Sequence, residues 1–184
     1  MDPALEIKLR DMVDRDEIWR VMQRYGRGVD RCDRELLLSC YWDDAIEDHG
    51  SFIGTPADFV DYAFGSTRGC KTSIHSVLNH SCELDGDEAH VETYYLFVST
   101  ADKAPHLASF GRYVDHFRKR TGEWRIANRV CSIEGVFGLE DHPFATAHVA
   151  THYPPGAEPY RHDRQDVSYQ RPVRPRPIPA KQMA

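Results

Sequence analysis

The sequence predicts an α+β fold, with helices gathered in the first third of the chain and a sheet of long antiparallel strands following them. Two observations carry that prediction. Before Gly69 the apolar residues recur at helical spacing. Beyond it come Val-, Thr-, Tyr- and Phe-rich runs separated by short turn signals.

In chain order, Ile18, Val21, Met22, Tyr25 and Val29 fall at i, i+3, i+4, i+7 and i+11, one apolar stripe of a long helix. Gly26 and Gly28 loosen its last turn, as expected near a helix end. Asp33 is placed to cap a second, short helix carrying Leu36, Leu37, Leu38 and Cys40. The run YWDDAIEDHGSFIG reads as two short strands turning at His49-Gly50. Pro56 then opens a third helix, reaching Phe64, where its missing N–H does no harm. Four strands follow, at Lys71–Leu84, Glu88–Thr100, His106–Arg120 and Trp124–Phe137. Asp85-Gly86-Asp87 and Thr121-Gly122-Glu123 supply hairpin turns.

A length of 184 residues suits one domain with an extension, and a 41% hydrophobic content suffices for a single core. The boundaries expected are residues 1–138 for the α+β domain and 139–184 for a proline-rich extension. Eight of the eleven prolines lie at or beyond Pro143, where periodicity ends. From Arg161 onward the arginines and lysine outnumber Asp163 and Asp166. That composition reads as a solvated arm, extended or fixed by packing on a neighbour.

Composition also excludes several classes. Mean hydropathy is -0.58, and no apolar run approaches the ~20 residues a spanning helix needs, so no membrane is expected as a partner. The charged N-terminus lacks the apolar stretch of a secretory signal, so a cytoplasmic location is the expectation. Five cysteines, an odd number with no CxxC, read as small buried hydrophobes rather than a disulfide framework or zinc site. The net charge of -6, with no recognisable binding signature, argues against nucleic acid.

Four residues stand out. Asp30 closes the striped helix where the macrodipole is negative, a place that disfavours a carboxylate by roughly 0.3–1 kcal/mol. It is either an exposed loop aspartate helped by Arg31 or Arg34, or one kept for a purpose. His75 shares a strand face with Ser73, Val77, Asn79 and Ser81, opposite the face of Ile74, Ser76, Leu78, His80, Cys82 and Leu84. That mixed-polar face suits either a pocket wall or a partly exposed histidine. In a regular strand His80 points away from His75, so the two share no metal, and none is expected. Arg129 lies on a face with Ala127, Cys131 and Ile133 and requires an anionic partner or a wet cavity. Tyr25 belongs to the core stripe, yet its hydroxyl needs a partner if the surroundings are dry.

The segments RYGRGVDRCDRELLLSCYWDDA, SIHSVLNH and GEWRIANRV, in that order, resemble the SnoaL-like branch of the nuclear transport factor 2-like superfamily. The likeness covers about the first three quarters of the chain. It implies a cone-shaped fold, with N-terminal helices packed on a strongly curved, mainly antiparallel sheet. Within the branch the chain is similar to scytalone dehydratases, hexachlorocyclohexane dehydrochlorinases and bile acid 7α-dehydratases. In these lyases an aspartate orients a histidine base. Carried onto this chain, the resemblance makes Asp30 the orienting carboxylate and His75 the base, and puts Arg129 near the leaving group. Tyr25 stands where the dehydrochlorinase has lysine and the bile acid enzyme tyrosine, which favours loss of water over loss of chloride.

The activity so implied is a cofactor-free elimination of dehydratase type, or an isomerisation, on a hydrophobic ring-bearing small molecule such as a steroid, polyketide or aromatic intermediate. The enzyme would be a homo-oligomer, a trimer by analogy. Three other readings stay open: a non-catalytic binding module of the same fold, a structural partner like the small subunits of ring-hydroxylating dioxygenases, and a cofactor-free isomerase or cyclase in which an aspartate rather than the histidine moves the proton.

Overall fold

Asp2 starts the first helix, α1 (Pro3–Asp30), by accepting a hydrogen bond from the Ala4 amide. The computed structural model describes residues 2–142 and 161–175. Helix α1 runs unbroken through Gly26 and Gly28. The value of Gly28 is space, since a Cβ there would meet Leu37 at 3.0 Å. The short helix α2 (Arg34–Leu38) packs at that point, capped by the Asp33 carboxylate. Strands β1 (Tyr41–Asp48) and β2 (Ile53–Gly54) follow, with Gly50 at φ +72° taking the turn between them. Thr55 then caps α3 (Pro56–Arg68).

The four long strands are β3 (Thr72–Asp85), β4 (Glu88–Thr100), β5 (His106–Arg120) and β6 (Glu123–Leu139). They join β1 and β2 in one open sheet of order β2-β1-β6-β5-β4-β3. Every neighbouring pair is antiparallel except β1 with β6, which is parallel. The α+β expectation holds, with the N-terminal helices packed on a mainly antiparallel sheet. Ile18, Val21, Met22 and Tyr25 from α1 meet Phe59 and Val60 from α3, and Tyr113, Phe117 and Ile126 from the sheet, in one core. No helix among the described residues is long and apolar enough to cross a membrane.

Bulges decide which side chains face the helices. In β3 the pairing passes from Val77↔Tyr95 to His80↔Thr93, so one residue is extra. The inward set therefore changes from Ser73, His75 and Val77 to His80, Cys82 and Leu84. This corrects the regular alternation expected for the strand, because His80 faces the same side as His75. It is engaged elsewhere, however: its Nδ1 lies 2.8 Å from the Thr93 hydroxyl and its ring 4.9 Å from Trp19. A second irregularity falls at Gly111, where a Cβ would lie 1.9 Å from the Ser132 carbonyl, so only glycine fits.

The alternatives left open for Arg129 resolve to an anionic partner. Its guanidinium is fully buried and grips Asp115 at two points, Nε to Oδ1 at 2.6 Å and Nη2 to Oδ2 at 2.8 Å. The Tyr25 and Tyr113 rings lie against it at 4.1 and 4.3 Å. Burial opposes the arginine's charge, but the Asp115 carboxylate together with Tyr41 and Glu47 outweighs this and moves its pKa further up.

The segment 161–175 also departs from the solvated arm expected. It lies along the end of α1 of its own chain. Tyr169 donates to Asp33 at 2.7 Å, Arg164 reaches Asp33 and Glu35 at 2.8 Å, and buried Asp166 pairs with Arg31 at 3.3 Å. Arg27 covers the Tyr169 ring at 4.3 Å. The extended character expected of 143–160 and 176–184 lies outside the described residues.

The Arg129–Asp115 pair yields a stability prediction. Arg129→Met leaves a buried carboxylate without its partner and should cost about 3–5 kcal/mol in urea unfolding, whereas Arg129→Met with Asp115→Leu should recover most of that loss.

Candidate active site

Asp30 is tolerated at the negative end of α1 because three donors converge on its carboxylate. Ser73 Oγ donates at 3.1 Å, the His75 backbone N–H at 2.9 Å, and His75 Nδ1 lies 2.6 Å from Oδ1. These contacts, two of them with charge-assisted geometry, outweigh the unfavourable helix end. They also tie α1 to the first residues of β3. Both side chains are 12% exposed. From the C-terminal segment, His162 Nδ1 approaches the Asp30 carbonyl at 2.8 Å, so that carbonyl is also engaged.

With Nδ1 on Asp30, Nε2 is the ring nitrogen of His75 left for a bound molecule. The ring packs on Phe97 at 4.5 Å and borders a cavity of about 270 Å³ between the helices and the sheet. Tyr25, Phe59, Tyr62, Tyr95, Phe97 and Tyr113 give this cavity aromatic walls, and Leu107, Ile133 and Val136 stand on the sheet side. A second groove, lined by Gln23, Arg27, Arg31 and Val77, also touches His75 and Asp30.

Tyr25 lies in the cavity wall, its ring 5.2 Å from Tyr113 and 6.4 Å from Phe59. Its hydroxyl makes no hydrogen bond with a described residue. Burial, reinforced by Tyr41 and Glu47, drives its pKa well up against the pull of Arg129, so the phenol keeps its proton. Burial likewise pushes Tyr95 up to about 12. Arg129 is not part of the lining; it stands behind Tyr25 and Tyr113 and fixes both rings from below. The structure thus brings His75 and Tyr25 to one cavity, with Asp30 behind His75 on the side of the outer groove, and sets Arg129 one layer behind Tyr25.

The cavity also holds a residue the sequence reading passed over. His49 follows β1 and packs on Phe59 at 5.1 Å. Its Nδ1 lies 2.8 Å from Oε1 of Glu47, a fully buried carboxylate whose Oε2 accepts from Tyr41 at 2.6 Å. Burial alone would lower the His49 pKa, but contact with Cys131 and the Glu47 carboxylate raises it to about 9. A signal was present, since residues two apart on a strand share a face and Glu47 and His49 are so spaced.

This fold matches a known class. The SnoaL-like domain model covers residues 10–130, and the chain belongs to that family. No curated protein matches the sequence significantly. Among solved structures, a type 2 hexachlorocyclohexane dehydrochlorinase (LinA) is 20% identical with a TM-score of 0.68, covering 82% of this chain and 99% of its own. A scytalone dehydratase-like protein from Novosphingobium aromaticivorans is 20% identical at 0.64, covering 72% and 91% respectively. A Mycobacterium tuberculosis protein of unknown function is 24% identical at 0.62, covering 73% and 77%. At these identities the likeness establishes the fold.

The Glu47–His49 pair makes folding pH-dependent. Because the folded His49 pKa, about 9, exceeds the ordinary value, its stabilisation is complete below about pH 6.5 and is lost as pH rises through 9. Unfolding free energy should fall across that window by at most ~1.4 kcal/mol per pH unit, and the His49→Gln variant should lack this component of the slope in urea titrations.

Proposed function

We propose that this protein is a cofactor-free lyase of dehydratase type, acting on a hydrophobic, ring-bearing small molecule. The observation that carries this reading is the 2.6 Å contact between His75 Nδ1 and Asp30 at the wall of an aromatic cavity. A carboxylate on the far nitrogen fixes the tautomer of an imidazole, points Nε2 at the substrate and stabilises the imidazolium that forms. His75 removes a proton from carbon beside an activating group, and Asp30 holds it. Tyr25 hydrogen-bonds the departing oxygen through a hydroxyl that bonds no described residue. Arg129 acts as a positioning residue for the Tyr25 ring rather than touching substrate. The same apparatus moves a double bond when the proton returns to a different carbon, so isomerisation is the neighbouring activity.

The dehydrochlorinase and the dehydratase-like protein of the same fold support elimination as the reaction class. The hydrogen-bonded pair favours an enzyme over a non-catalytic binding module. We take residues 1–138 as the SnoaL-like domain and 139–184 as its extension, working in the cytoplasm. For the assembly we infer a homotrimer. The sheet face away from the helices carries Ile74, Leu78, Leu96, Phe110 and Val114, each at least 40% exposed, which is the kind of surface a second copy covers.

With cyclic β-hydroxy ketones as probe substrates, appearance of the conjugated product reads the reaction. His75→Ala and Asp30→Asn should each lower turnover by about 10²–10⁴-fold while far-UV circular dichroism stays that of the parent. Full activity in both would remove the roles assigned to them. Light scattering should give a mass about three times the 21.1 kDa of one chain, and a monomer would remove the trimer.

A further inference from the structure

We propose that His49 is the proton donor of the reaction, held by Glu47 and delivering its proton to the leaving group in the same cavity where His75 takes one from carbon. The inference rests on the lyase reading above and deepens it.

Elimination of water needs an acid as well as a base, because hydroxide leaves poorly without a proton. Tyr25 hydrogen-bonds well but holds its own proton too firmly to give it up. His49 is built differently. Its Nδ1 is fixed on Glu47 and its ring touches the Cys131 thiol, so Nε2 is the ring nitrogen that can serve a molecule in the cavity His49 lines. The groups against the ring are Glu47, Cys131 from β6, Tyr113 from β5 and the apolar Phe59 from α3, and Glu47 in turn lies in the field of the buried Arg129 of β6 and Asp115 of β5; Tyr25 from α1 lines the same cavity. Among these, Asp115 and Glu47 are two buried carboxylates and Arg129 is a single buried guanidinium. A charged His49 makes the buried cluster neutral, which is the arrangement low-dielectric surroundings favour. Its raised pKa agrees with that count.

The step balances without a further reactant. His75 Nε2 accepts the proton from carbon, and the C–H electron pair becomes the new double bond. The C–O bond breaks with its pair on oxygen, and the His49 proton joins that oxygen, so water departs. His75 ends protonated and His49 neutral, and proton exchange with solvent resets both.

Two ring ketones separate the roles. From β-hydroxyindanone the leaving group must be protonated, whereas from β-acetoxyindanone it departs as acetate without help. His49→Gln should lower kcat on the hydroxy ketone by about 100-fold or more yet change kcat on the acetoxy ketone by less than about threefold. His75→Ala should lose both reactions. In parallel, NMR of isotope-labelled histidine should show both His49 ring nitrogens protonated at neutral pH in the parent, with one proton lost near pH 9 and at lower pH in Glu47→Gln. Equal loss on the two ketones in His49→Gln, or a neutral His49 at neutral pH, overturns the donor role while leaving His75 as base. A parent protein that turns over neither ketone overturns the elimination reading itself, and the donor role with it.

Discussion

Arg129 is the hub on which the rest of the molecule turns. A guanidinium buried beyond the reach of water must be met by charge and by hydrogen-bond acceptors, and this one is met from four directions. Asp115 neutralises it from the next strand, Tyr25 and Tyr113 cover its faces, and the Tyr41 hydroxyl lies 3.4 Å from Nη1. Through Tyr41 the connection continues to Glu47 and then to His49 at the cavity. One buried charge therefore sets the position of two aromatic cavity walls and the environment of a titrating ring. Because these groups form a single network, the effects of altering them should not add.

The cavity has a second anchor at its opposite side, where Asp30 joins α1 to β3. The carboxylate accepts from the backbone N–H and the ring of the same residue, His75. That double contact fixes both the strand's approach to the helix and the rotation of the imidazole. The C-terminal end of a helix is normally an unfavourable place for an acid, and here the donors of β3 supply what the helix withholds. The two anchors differ in kind: one is sealed in the core, and the other stays in contact with the cavity and the outer groove.

Much of this was legible in the sequence. The apolar stripe from Ile18 to Val29 and the four β runs define the layers, because their periodicity follows directly from which side of an element is buried. Asp30 stood out because it opposed a local electrostatic preference, and Arg129 because it interrupted an apolar face. What alternation could not supply was the register. The extra residue between Val77 and His80 reverses the faces of β3, and a bulge leaves no mark in residue type where apolar Val77 and Leu78 are followed at once by polar Asn79 and His80, so that neither register is favoured. Glu47 and His49 were hidden for a related reason: IEDHG has the composition of an exposed turn, and only the closure of α3 over it buries the carboxylate. Asp115 was likewise an acid on an apolar stretch, recognisable once Arg129 on the neighbouring strand is set opposite it.

The docking of residues 161–175 on α1 changes what counts as the complete folding unit. The family match ends at residue 130 and the sheet at Leu139, so either boundary invites trimming the remainder as dispensable. Yet His162 occupies the carbonyl of the same aspartate whose carboxylate holds His75, and Tyr169 and Arg164 cover Asp33, the cap of the next helix. A chain cut after Leu139 would keep every strand and every residue of the cavity wall, but would uncover the helix end from which the orienting carboxylate projects. Expression boundaries chosen by family alignment alone would thus remove the outer support of the very residue they were meant to preserve.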